Sequence, residues 1–367
     1  MKKIKVLHVL GGLEAGGVET WLFNVVQQFD LSVYQMDFMI FSGSKGVYGN
    51  ALELLGCKIY MAPKTKNPFK VAGYYIKTIK VENYDIVHTH RHFLCGLYLI
   101  FNKFTNAKFI AHSHNTSTDS RIFKNKIIAS MAKQLTKRAP NKLACSVDAG
   151  IVLFNEPSTI IYYGINTQNF KPSLNKLLLL EDLYQPNEND VVIGHVGRFT
   201  EQKNHHFLLD IAKVLIAETP NYHFILIGDG VLKNEIAERI EKENLKHNVH
   251  LIGPRTDVNE FMRGFFDVYL FPSLYEGFGI VLIESQCAGL PTVFSSNLPQ
   301  TVDVIPELIN RVNLDKDANW WAKQVTKLAL PGYNQKLDYQ KRFEQSPFSI
   351  QHSAQKLKTF YEDILKN

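Results

Sequence analysis

Short apolar runs alternate along the chain with longer segments in which apolar residues recur every three or four positions. The short runs predict buried strands, and the longer segments predict amphipathic helices. Strands separated by helices are typical of βαβ units and parallel sheets, so we predict an α/β fold. The predicted strands are Val6–Leu10, Asp37–Phe41, Lys58–Met61, Ile86–His88, Phe109–Ala111, Leu143–Ala144, Thr159–Tyr162, Val191–Val196, Phe224–Ile227, Val249–Leu251, Val268–Phe271 and Thr292–Phe294.

The alternation stops at a polar, proline-containing stretch near residues 174–189 and then starts again. A chain of 367 residues is long enough for two ordinary domains. We therefore predict two doubly wound, Rossmann-like domains, residues 1–167 and residues 168–347. Because open α/β sheets bind ligands beyond the carboxyl ends of their strands, the two domains are expected to face a cleft.

The composition, with 45% apolar and 21% charged residues, is that of a globular chain. No apolar run is long enough for a transmembrane helix, and the run after the first lysines is too short for a signal peptide, so we expect a cytoplasmic protein. The four cysteines form no CxxC pair, which predicts neither a disulfide framework nor a zinc knuckle.

Charge is distributed unevenly between the two halves. Residues 1–167 carry 20 Lys and Arg against 10 Asp and Glu, whereas residues 168–367 carry 21 against 25. A basic amphipathic helix is predicted within residues 121–138, with Met131 and Leu135 on its apolar side. This pattern suits an anionic membrane surface, although a core helix with a solvated basic face has the same pattern. The lysines assigned to the membrane are Lys124, Lys126, Lys133 and Lys137.

Two loops carry residues suited to phosphate. Gly11–Gly17 follows the first predicted strand, and glycines let the backbone approach an anion at a helix N-terminus. The loop after Val196 contains Arg198 and Lys203, whose planar guanidinium and compact ammonium suit a diphosphate. The first loop matches neither the dinucleotide fingerprint nor the P-loop pattern, which argues against a dehydrogenase and an NTPase.

The segment from Phe271 to Glu284 places two glutamates eight positions apart. Glu276 precedes a helix predicted to start near Gly279, and Glu284 lies two turns into that helix. Carboxylates accept hydrogen bonds from hydroxyl groups and backbone amides donate them, so this arrangement suits a sugar.

Taken together, the segment from Glu276 to Glu284, the loop Gly197–Asn204 and the pair Gly16 and Gly17 resemble the motifs of the retaining family 4 glycosyltransferases with the GT-B fold. The likeness spans nearly the whole chain and points to bacterial exopolysaccharide and capsule glycosyltransferases. It implies two Rossmann-like domains, with a C-terminal helix at about residues 348–367 crossing back to the first domain. It also implies sugar transfer from a nucleotide diphosphate donor without a metal ion or other cofactor.

The resemblance also implies roles for individual residues. Arg198 and Lys203 would bind the donor diphosphate, Glu276 the hydroxyls of the donor sugar, and Glu284 the ribose. The expected catalytic residues are His114, Arg198, Lys203 and Glu276. The expected donor-binding residues are Gly16, Gly17, Gly197, Arg198, Lys203, Gly228, Gly230, Arg255, Glu276, Gly277, Phe278, Gly279, Ile280 and Glu284.

The chain departs from the family pattern at Tyr163 and Asn166, where Asn and Asp are usual, and at Ser285, where Ala is common.

Histidines alternate in the segments His88–His92 and His112–His114. Alternating histidines on one strand face are possible zinc ligands, but no carboxylate or cysteine nearby in the sequence completes a site. We therefore expect no metal. His90 and Arg91 are assigned to the acceptor side, with ordinary packing as the alternative.

The predicted function is retaining transfer of a hexosyl or N-acetylhexosaminyl group from a nucleotide diphosphate sugar, with a UDP-sugar as the expected donor. The expected acceptor is a saccharide, lipid-linked at the inner face of the cell membrane, in exopolysaccharide or capsule synthesis. A UDP-sugar 2-epimerase, a non-enzymatic sugar-binding protein and a nucleic-acid-binding protein are the alternatives. The glutamate pair argues against the epimerase, and since no known nucleic-acid-binding motif is present, no nucleic-acid partner is expected.

Overall fold

Strands and helices alternate along the chain and assemble into two compact units. The first unit comprises residues 1–165 and 346–367, and the second comprises residues 166–345. The computed structural model describes residues 3–14, 16–65, 67–115, 126–170, 187, 189–276, 278–329 and 339–366, of which residues 126–129 and 340 are described for the backbone only.

A seven-stranded parallel sheet forms the centre of the first unit. Its strands are β1 (Ile4–Leu10), β2 (Tyr34–Ile40), β3 (Ile59–Met61), β4 (Ile86–Thr89), β5 (Lys108–Ser113), β6 (Asn141–Ala144) and β7 (Thr159–Ile160). They lie in the order β3-β2-β1-β4-β5-β6-β7. Consecutive residues of β1, such as Val6 and Leu7, are fully buried, as expected for a parallel strand covered on both faces.

Helices connect these strands. They are α1 (Gly17–Val26), α2 (Gly46–Leu54), α3 (Pro68–Glu82), α4 (Cys95–Asn102), α5 (Lys126–Thr136) and α6 (Val147–Phe154). The sequence marks the ends of α3 clearly, because Asn67 caps the amide of Phe69, Pro68 occupies the first turn, and Asn83 ends the helix in the left-handed conformation.

The second unit contains a six-stranded parallel sheet. Its strands are β8 (Val191–Val196), β9 (Tyr222–Ile227), β10 (Val249–Gly253), β11 (Val268–Phe271), β12 (Thr292–Ser295) and β13 (Ile309–Val312). They lie in the order β10-β9-β8-β11-β12-β13, the strand order of a Rossmann sheet. Its helices are α7 (His205–Glu218), α8 (Lys233–Lys242), α9 (Val258–Gly264), α10 (Ile280–Cys287), α11 (Ala318–Leu328) and α12 (Tyr339–Glu344).

The last helix, α13 (Ile350–Lys366), belongs to the first unit. Trp21 Nε1 of α1 donates a hydrogen bond to Ser353 Oγ at 2.9 Å, and the Tyr34 hydroxyl of β2 donates to Glu362 at 3.0 Å. The C-terminal segment therefore packs on helices and strands formed by the start of the chain.

The predicted fold class is confirmed, since both sheets are parallel and Rossmann-like. Each predicted strand overlaps an observed one, with ends that differ by a few residues. The sequence did not predict β13, a four-residue edge strand whose centre carries the polar residues Asn310 and Arg311. Polar residues are common on an edge strand, which has only one neighbour, and they remove the apolar signal on which the prediction depends.

Candidate active site

In the second sheet the strand order reverses between β8 and β11, and open α/β sheets bind ligands at such a point, beyond the carboxyl ends of the strands. The loop after β8 covers residues 197–204, and the loop after β11 covers residues 272–279. The Leu274 amide donates to the Gln202 carbonyl at 2.9 Å, and Asn204 Nδ2 donates to the carbonyl of the first residue after β11 at 3.1 Å. The two segments predicted to bind a sugar nucleotide therefore lie side by side.

Lys203 and Glu276 form an ion pair between these loops. Lys203 Nζ lies 2.7 Å from Glu276 Oε1, and the two side chains are only 12% and 10% exposed. The ammonium also lies 4.4 Å from the ring centroid of Phe271, and the stem of Lys203 passes over Gly197, where a Cβ would come within 3.1 Å of it. The structure thus brings together a residue predicted to bind phosphate and a residue predicted to bind sugar. The ion pair also fixes the Lys203 ammonium in a largely buried position.

Arg198 extends from the same loop with an exposed side chain. Its backbone carbonyl accepts from the Thr200 amide at 2.8 Å, in the turn that leads to Lys203. A guanidinium at this loop is accessible to an anionic ligand, and its assignment to the diphosphate stays a prediction.

Gly228 and Gly230 follow β9, and both are required by close backbone packing against the loop after β8. A Cβ on Gly228, which has φ +146°, would lie 2.0 Å from the Gly197 carbonyl oxygen. A Cβ on Gly230 would lie 2.5 Å from the Phe199 carbonyl oxygen. These glycines therefore hold the shape of the loop that carries Arg198 and Lys203.

We expect Gly228→Ala to destabilise the second unit by about 3 kcal/mol or more, because the added methyl group meets backbone at a φ that alanine rarely adopts. The expected fall in melting temperature is about 10 °C for a unit of this size. Gly253→Ala is the matched control, since Gly253 also has a positive φ of +76° but a Cβ there meets no described atom within 4 Å. Equal melting temperatures for the two variants would contradict the packing role of Gly228.

Helix α10 begins directly after the second loop. Its cap, Gly279, has φ +75° and offers no side chain to the first amides of the helix, beginning at Ile280. Phe278 is buried, with 3% exposed, and Gly277 lies outside the described residues. The N-terminus of a helix attracts hydrogen-bond acceptors, so this end of α10 suits the oxygens of a ligand.

Glu284 lies in the second turn of α10 and is partly buried. Burial raises the pKa of its carboxyl to about 7. At neutral pH this carboxyl group is therefore present in both protonation states. The carboxylate accepts hydrogen bonds from hydroxyl groups, and the neutral acid can also donate one.

Two neighbours of Glu284 fix α10 in the second unit, and neither was predicted as a site residue. Gln286 Nε2 donates to the Val302 carbonyl at 2.8 Å, while its Oε1 accepts from the Ile305 amide at 2.8 Å. Ser285, a departure from the family pattern, is hydrogen-bonded to the Thr292 hydroxyl of β12 at 2.8 Å. Serine at this position therefore joins α10 to the sheet.

Arg255 follows β10 and forms a bidentate pair with Asp257, at 2.8 and 2.6 Å. The pair lowers the pKa of the Asp257 carboxyl below its usual value. One face of the guanidinium lies 5.2 Å from the ring centroid of Phe261. Arg255 is thus held locally, and its contact with a nucleotide stays a prediction.

In the first unit, Gly16 caps α1 and Gly17 is its first residue. Gly16 has φ −158°, an extended conformation that any residue adopts, so only its small size distinguishes it. Arg91 lies against the same loop, where a Cβ on Gly11 would be 3.0 Å from its guanidinium, and it also lies 5.0 Å from the Phe41 ring centroid.

His114 follows β5, and both of its ring nitrogens are engaged. Nε2 is hydrogen-bonded to His90 Nδ1 at 2.7 Å, and Nδ1 is hydrogen-bonded to the Tyr163 hydroxyl. His90 Nε2 is in turn hydrogen-bonded to His8 Nδ1 at 3.1 Å. Tyr163, which departs from the family pattern, therefore orients His114, one of the expected catalytic residues.

These residues are part of a group that we call the histidine cluster: His8, His88, His90, His112 and His114. Burial lowers the pKa of His8 and of His114 to about 3, and it lowers the pKa of the other three well below the usual value. The cluster is therefore neutral at physiological pH. His8 was not predicted as a site residue, because only the strand pairing brings β1 beside β4.

The predicted membrane helix is described in part, with Lys124 and the side chain of Lys126 outside the described residues. Helix α5 packs on α4 through Ala132 and Thr136, since the Thr136 hydroxyl accepts from the Gly96 amide at 2.8 Å. Met131 is 59% exposed, so the predicted apolar side is not uniformly buried.

Lys133 and Lys137 are partly buried rather than fully solvated, and Lys133 Nζ lies 5.3 Å from the Phe93 ring centroid. Among the described residues, none of the helices has both the length and the apolar character needed to cross a bilayer.

The sequence of this chain is similar to those of known proteins. The family model described as "Glycosyl transferases group 1" matches residues 182–342. A relative in Bacillus subtilis (strain 168), EpsF, is named as a glycosyltransferase. It is 31% identical to this chain over 340 residues, which cover 89% of this chain and 88% of EpsF. A UDP-Gal:α-D-GlcNAc-diphosphoundecaprenol α-1,3-galactosyltransferase of Escherichia coli is 30% identical over 232 residues, 60% of each chain.

Solved structures show the same fold. HepE of Anabaena, in complex with UDP and glucose, has a TM-score of 0.77 at 18% identity and covers 98% of this chain and 99% of its own. A glycosyltransferase from Rickettsia africae ESF-5 has a TM-score of 0.78 at 22% identity, with 100% of both chains covered. Identities this low establish the fold alone, and the predicted fold is confirmed.

Proposed function

The chain belongs to the glycosyl transferases group 1 family. We propose that it transfers a hexosyl or N-acetylhexosaminyl group from a UDP-sugar to a hydroxyl group of a saccharide. The proposed reaction is a step of exopolysaccharide or capsule synthesis. The observation that carries the proposal is the Lys203–Glu276 pair beside the N-terminus of α10. This arrangement offers a cation, a carboxylate and a helix N-terminus at one switch point, and these are the groups that a diphosphate sugar requires.

Lys203 and Arg198 would stabilise the negative charge that develops on the departing diphosphate. Because the Lys203 ammonium is largely buried and already fixed, its interaction with developing charge costs little reorganisation. The same cations would supply the positive charge for which other transferases use a metal ion, so the proposed reaction requires none. Retention of the anomeric configuration is part of the proposal, with the departing phosphate accepting the proton of the incoming hydroxyl.

Glu276, which is now paired with Lys203, would accept hydrogen bonds from the hydroxyls of the donor sugar. An incoming diphosphate competes with this carboxylate for the ammonium, so donor binding is expected to open or share the ion pair. Glu284 would hold the ribose.

UDP is the proposed donor nucleotide for two reasons. HepE, which shares the fold, has been solved with UDP and with UDP-glucose, and the E. coli relative is named for UDP-Gal. The test is a thermal-shift panel of UDP-, GDP- and ADP-sugars, followed by turnover with the best stabiliser. A UDP-sugar is expected to give the largest shift. If no sugar nucleotide stabilises the protein, the proposed function is wrong; a new epimer formed without an acceptor would indicate a 2-epimerase.

The affinity for the UDP-sugar is expected to fall as the pH is lowered from about 8 to about 6. Glu284, with its pKa raised to about 7, is a carboxylate above that pH and a neutral acid below it, and only the carboxylate accepts from both ribose hydroxyls. Below pH 7 the loss is at most tenfold per pH unit, because the neutral acid still accepts from one ribose hydroxyl. Isothermal titration at several pH values measures it.

Glu284→Gln is expected to bind more weakly with a flat pH profile, whereas the control Glu238→Gln, at an exposed position of α8, keeps the wild-type profile. A wild-type profile in Glu284→Gln would remove Glu284 from the ribose site.

We further propose that the acceptor is lipid-linked and that α5 contacts an anionic membrane surface. The E. coli relative is named for a diphosphoundecaprenol acceptor, and α5 combines an exposed Met131 with Lys133 and Lys137. Each cation near anionic lipid contributes about 1 kcal/mol.

The double variant Lys133→Glu and Lys137→Glu is expected to lose retention on anionic liposomes by more than tenfold. The matched control changes Lys70 and Lys77 of α3, which are exposed, to Glu and should retain binding. Equal retention of both double variants would refute the role of α5.

A further inference from the structure

One row of hydrogen bonds in the histidine cluster runs from Tyr163 through His114 and His90 to His8. A second row lies beside it. The Tyr361 hydroxyl of α13 is hydrogen-bonded to His88 Nδ1 at 2.7 Å, and His88 Nε2 is hydrogen-bonded to His112 Nδ1 at 3.0 Å. Each row ends at a buried ring nitrogen, His8 Nε2 and His112 Nε2, that has no hydrogen-bond partner among the residues described. A buried polar atom without a partner is costly, and a ligand that supplies one is favoured.

The nitrogens of this cluster have the spacing of a metal site. His90, His112 and His114 each place one ring nitrogen within 4.8 Å of the others, and so do His8, His88 and His90. Two imidazole nitrogens on one tetrahedral zinc ion lie about 3.3 Å apart, given zinc–nitrogen bonds of about 2.0–2.1 Å. His90 Nδ1 and His114 Nε2 are now 2.7 Å apart, with ring centroids 4.9 Å apart, so the two rings point at each other. An ion bound to both requires the nitrogens to separate by about 0.6 Å and the rings to tilt toward the ion.

The group of His90, His112 and His114 is the better site of the two. In each of these rings one nitrogen is already held by an outer partner: His8 for His90, the Tyr163 hydroxyl for His114, and His88 for His112. Such outer hydrogen bonds are what orient metal-binding histidines. Two of the three residues, His90 and His114, are partly exposed, as access for an ion requires.

We propose that His90, His112 and His114 bind one divalent transition-metal ion of the class that prefers imidazole, with Zn²⁺ as the representative ion. The assignment that keeps the outer bonds uses His90 Nδ1, His114 Nε2 and the unpartnered His112 Nε2. The ion binds to the first unit without a sugar nucleotide. It also occupies His114, so it inhibits sugar transfer, and this second consequence alone rests on the proposed function.

The experiment is a titration of the full-length, tag-free protein with Co²⁺, followed by visible absorption, and with Zn²⁺ in competition. We expect one Co²⁺ per chain, with the intense bands of a tetrahedral site that Zn²⁺ abolishes. His90→Gln and His114→Gln should each weaken binding by at least tenfold, while the control His352→Gln, exposed on α13, should not. Melting curves of each variant show whether it is folded.

Wild-type protein without tetrahedral bands would overturn the proposal whatever the variants do, and so would equal affinity in the folded His90→Gln variant. Because the titration contains no donor, its failure leaves the proposed function intact. Conversely, a protein that binds Co²⁺ but transfers no sugar retains the metal site and loses the proposed function.

Discussion

Lys203→Ala is expected to lower the turnover of the best sugar nucleotide by about 10²–10³-fold, the usual effect of removing one fixed group that stabilises developing charge. The reason is the position of Lys203 Nζ, 2.7 Å from Glu276 and largely buried at the switch point of the second sheet. A steady-state assay with saturating donor and acceptor measures the effect.

The control for this variant is Lys246→Ala. Lys246 also pairs with a glutamate of the second unit, at 2.6 Å, but 71% of its side chain is exposed. Its loss should leave turnover unchanged, because exposed ion pairs contribute little. Near-normal turnover in Lys203→Ala would remove Lys203 from the reaction.

Lys203→Ala is expected to lower the stability of the protein as well as its turnover. Removing Lys203 leaves the Glu276 carboxylate, 10% exposed, without its cation, and breaking a buried pair costs about 3–5 kcal/mol. The double variant Lys203→Ala with Glu276→Gln removes both charges. It should recover melting temperature relative to Lys203→Ala but not turnover.

The second large effect is a loss of stability of the first unit in mild acid. The pKa values of His8, His88 and His112 lie well below the usual 6.5 in the folded chain, because all three are fully buried. Below pH 6.5 the unfolded chain binds protons that the folded chain does not, so stability present above that pH is lost as the pH falls toward about 3. These three histidines alone predict a decrease of about 4 kcal/mol in unfolding free energy between pH 7.5 and pH 5.5.

Urea unfolding followed by Trp21 fluorescence measures this loss for the first unit, after Trp320 and Trp321 are changed to Phe. Trp21 is suited to the purpose because it is buried and its ring centroid lies 5.4 Å from that of His112. His8→Gln is expected to reduce the slope against pH by about one proton, while the exposed His352→Gln leaves it unchanged. An unfolding free energy that is constant between these pH values would show that the buried histidines are protonated in the folded chain.

The sequence predicts most of the fold because the strands of parallel sheets are buried on both faces and read as short apolar runs. Val191–Val196 and Val268–Phe271 were predicted with the bounds that the structure shows. The edge strand β13 was missed, since Asn310 and Arg311 interrupt its apolar pattern.

The site is predictable only where its residues follow strands at the switch point. Arg198, Lys203 and Glu276 each do so, and that position is visible in the sequence. The ion pair itself is not visible, because 73 residues separate Lys203 from Glu276 and the pairing depends on β8 lying beside β11.

The histidine cluster as a whole is likewise not visible in the sequence. Its members come from β1, β4 and β5 and the residues just after them, and only the strand order 1-4-5 places them together. Tyr163 and Tyr361, which begin the two rows, come from still more distant parts of the chain. Hydrogen-bond partners of this kind follow from tertiary structure and leave no local pattern.

A crystal structure of the protein with the best-binding UDP-sugar is the most direct test of the proposed donor site. We predict the diphosphate within hydrogen-bond distance of Lys203 Nζ, the sugar hydroxyls on Glu276, and the ribose on Glu284. A sugar nucleotide bound away from the loops at residues 197–204 and 272–279 would contradict it.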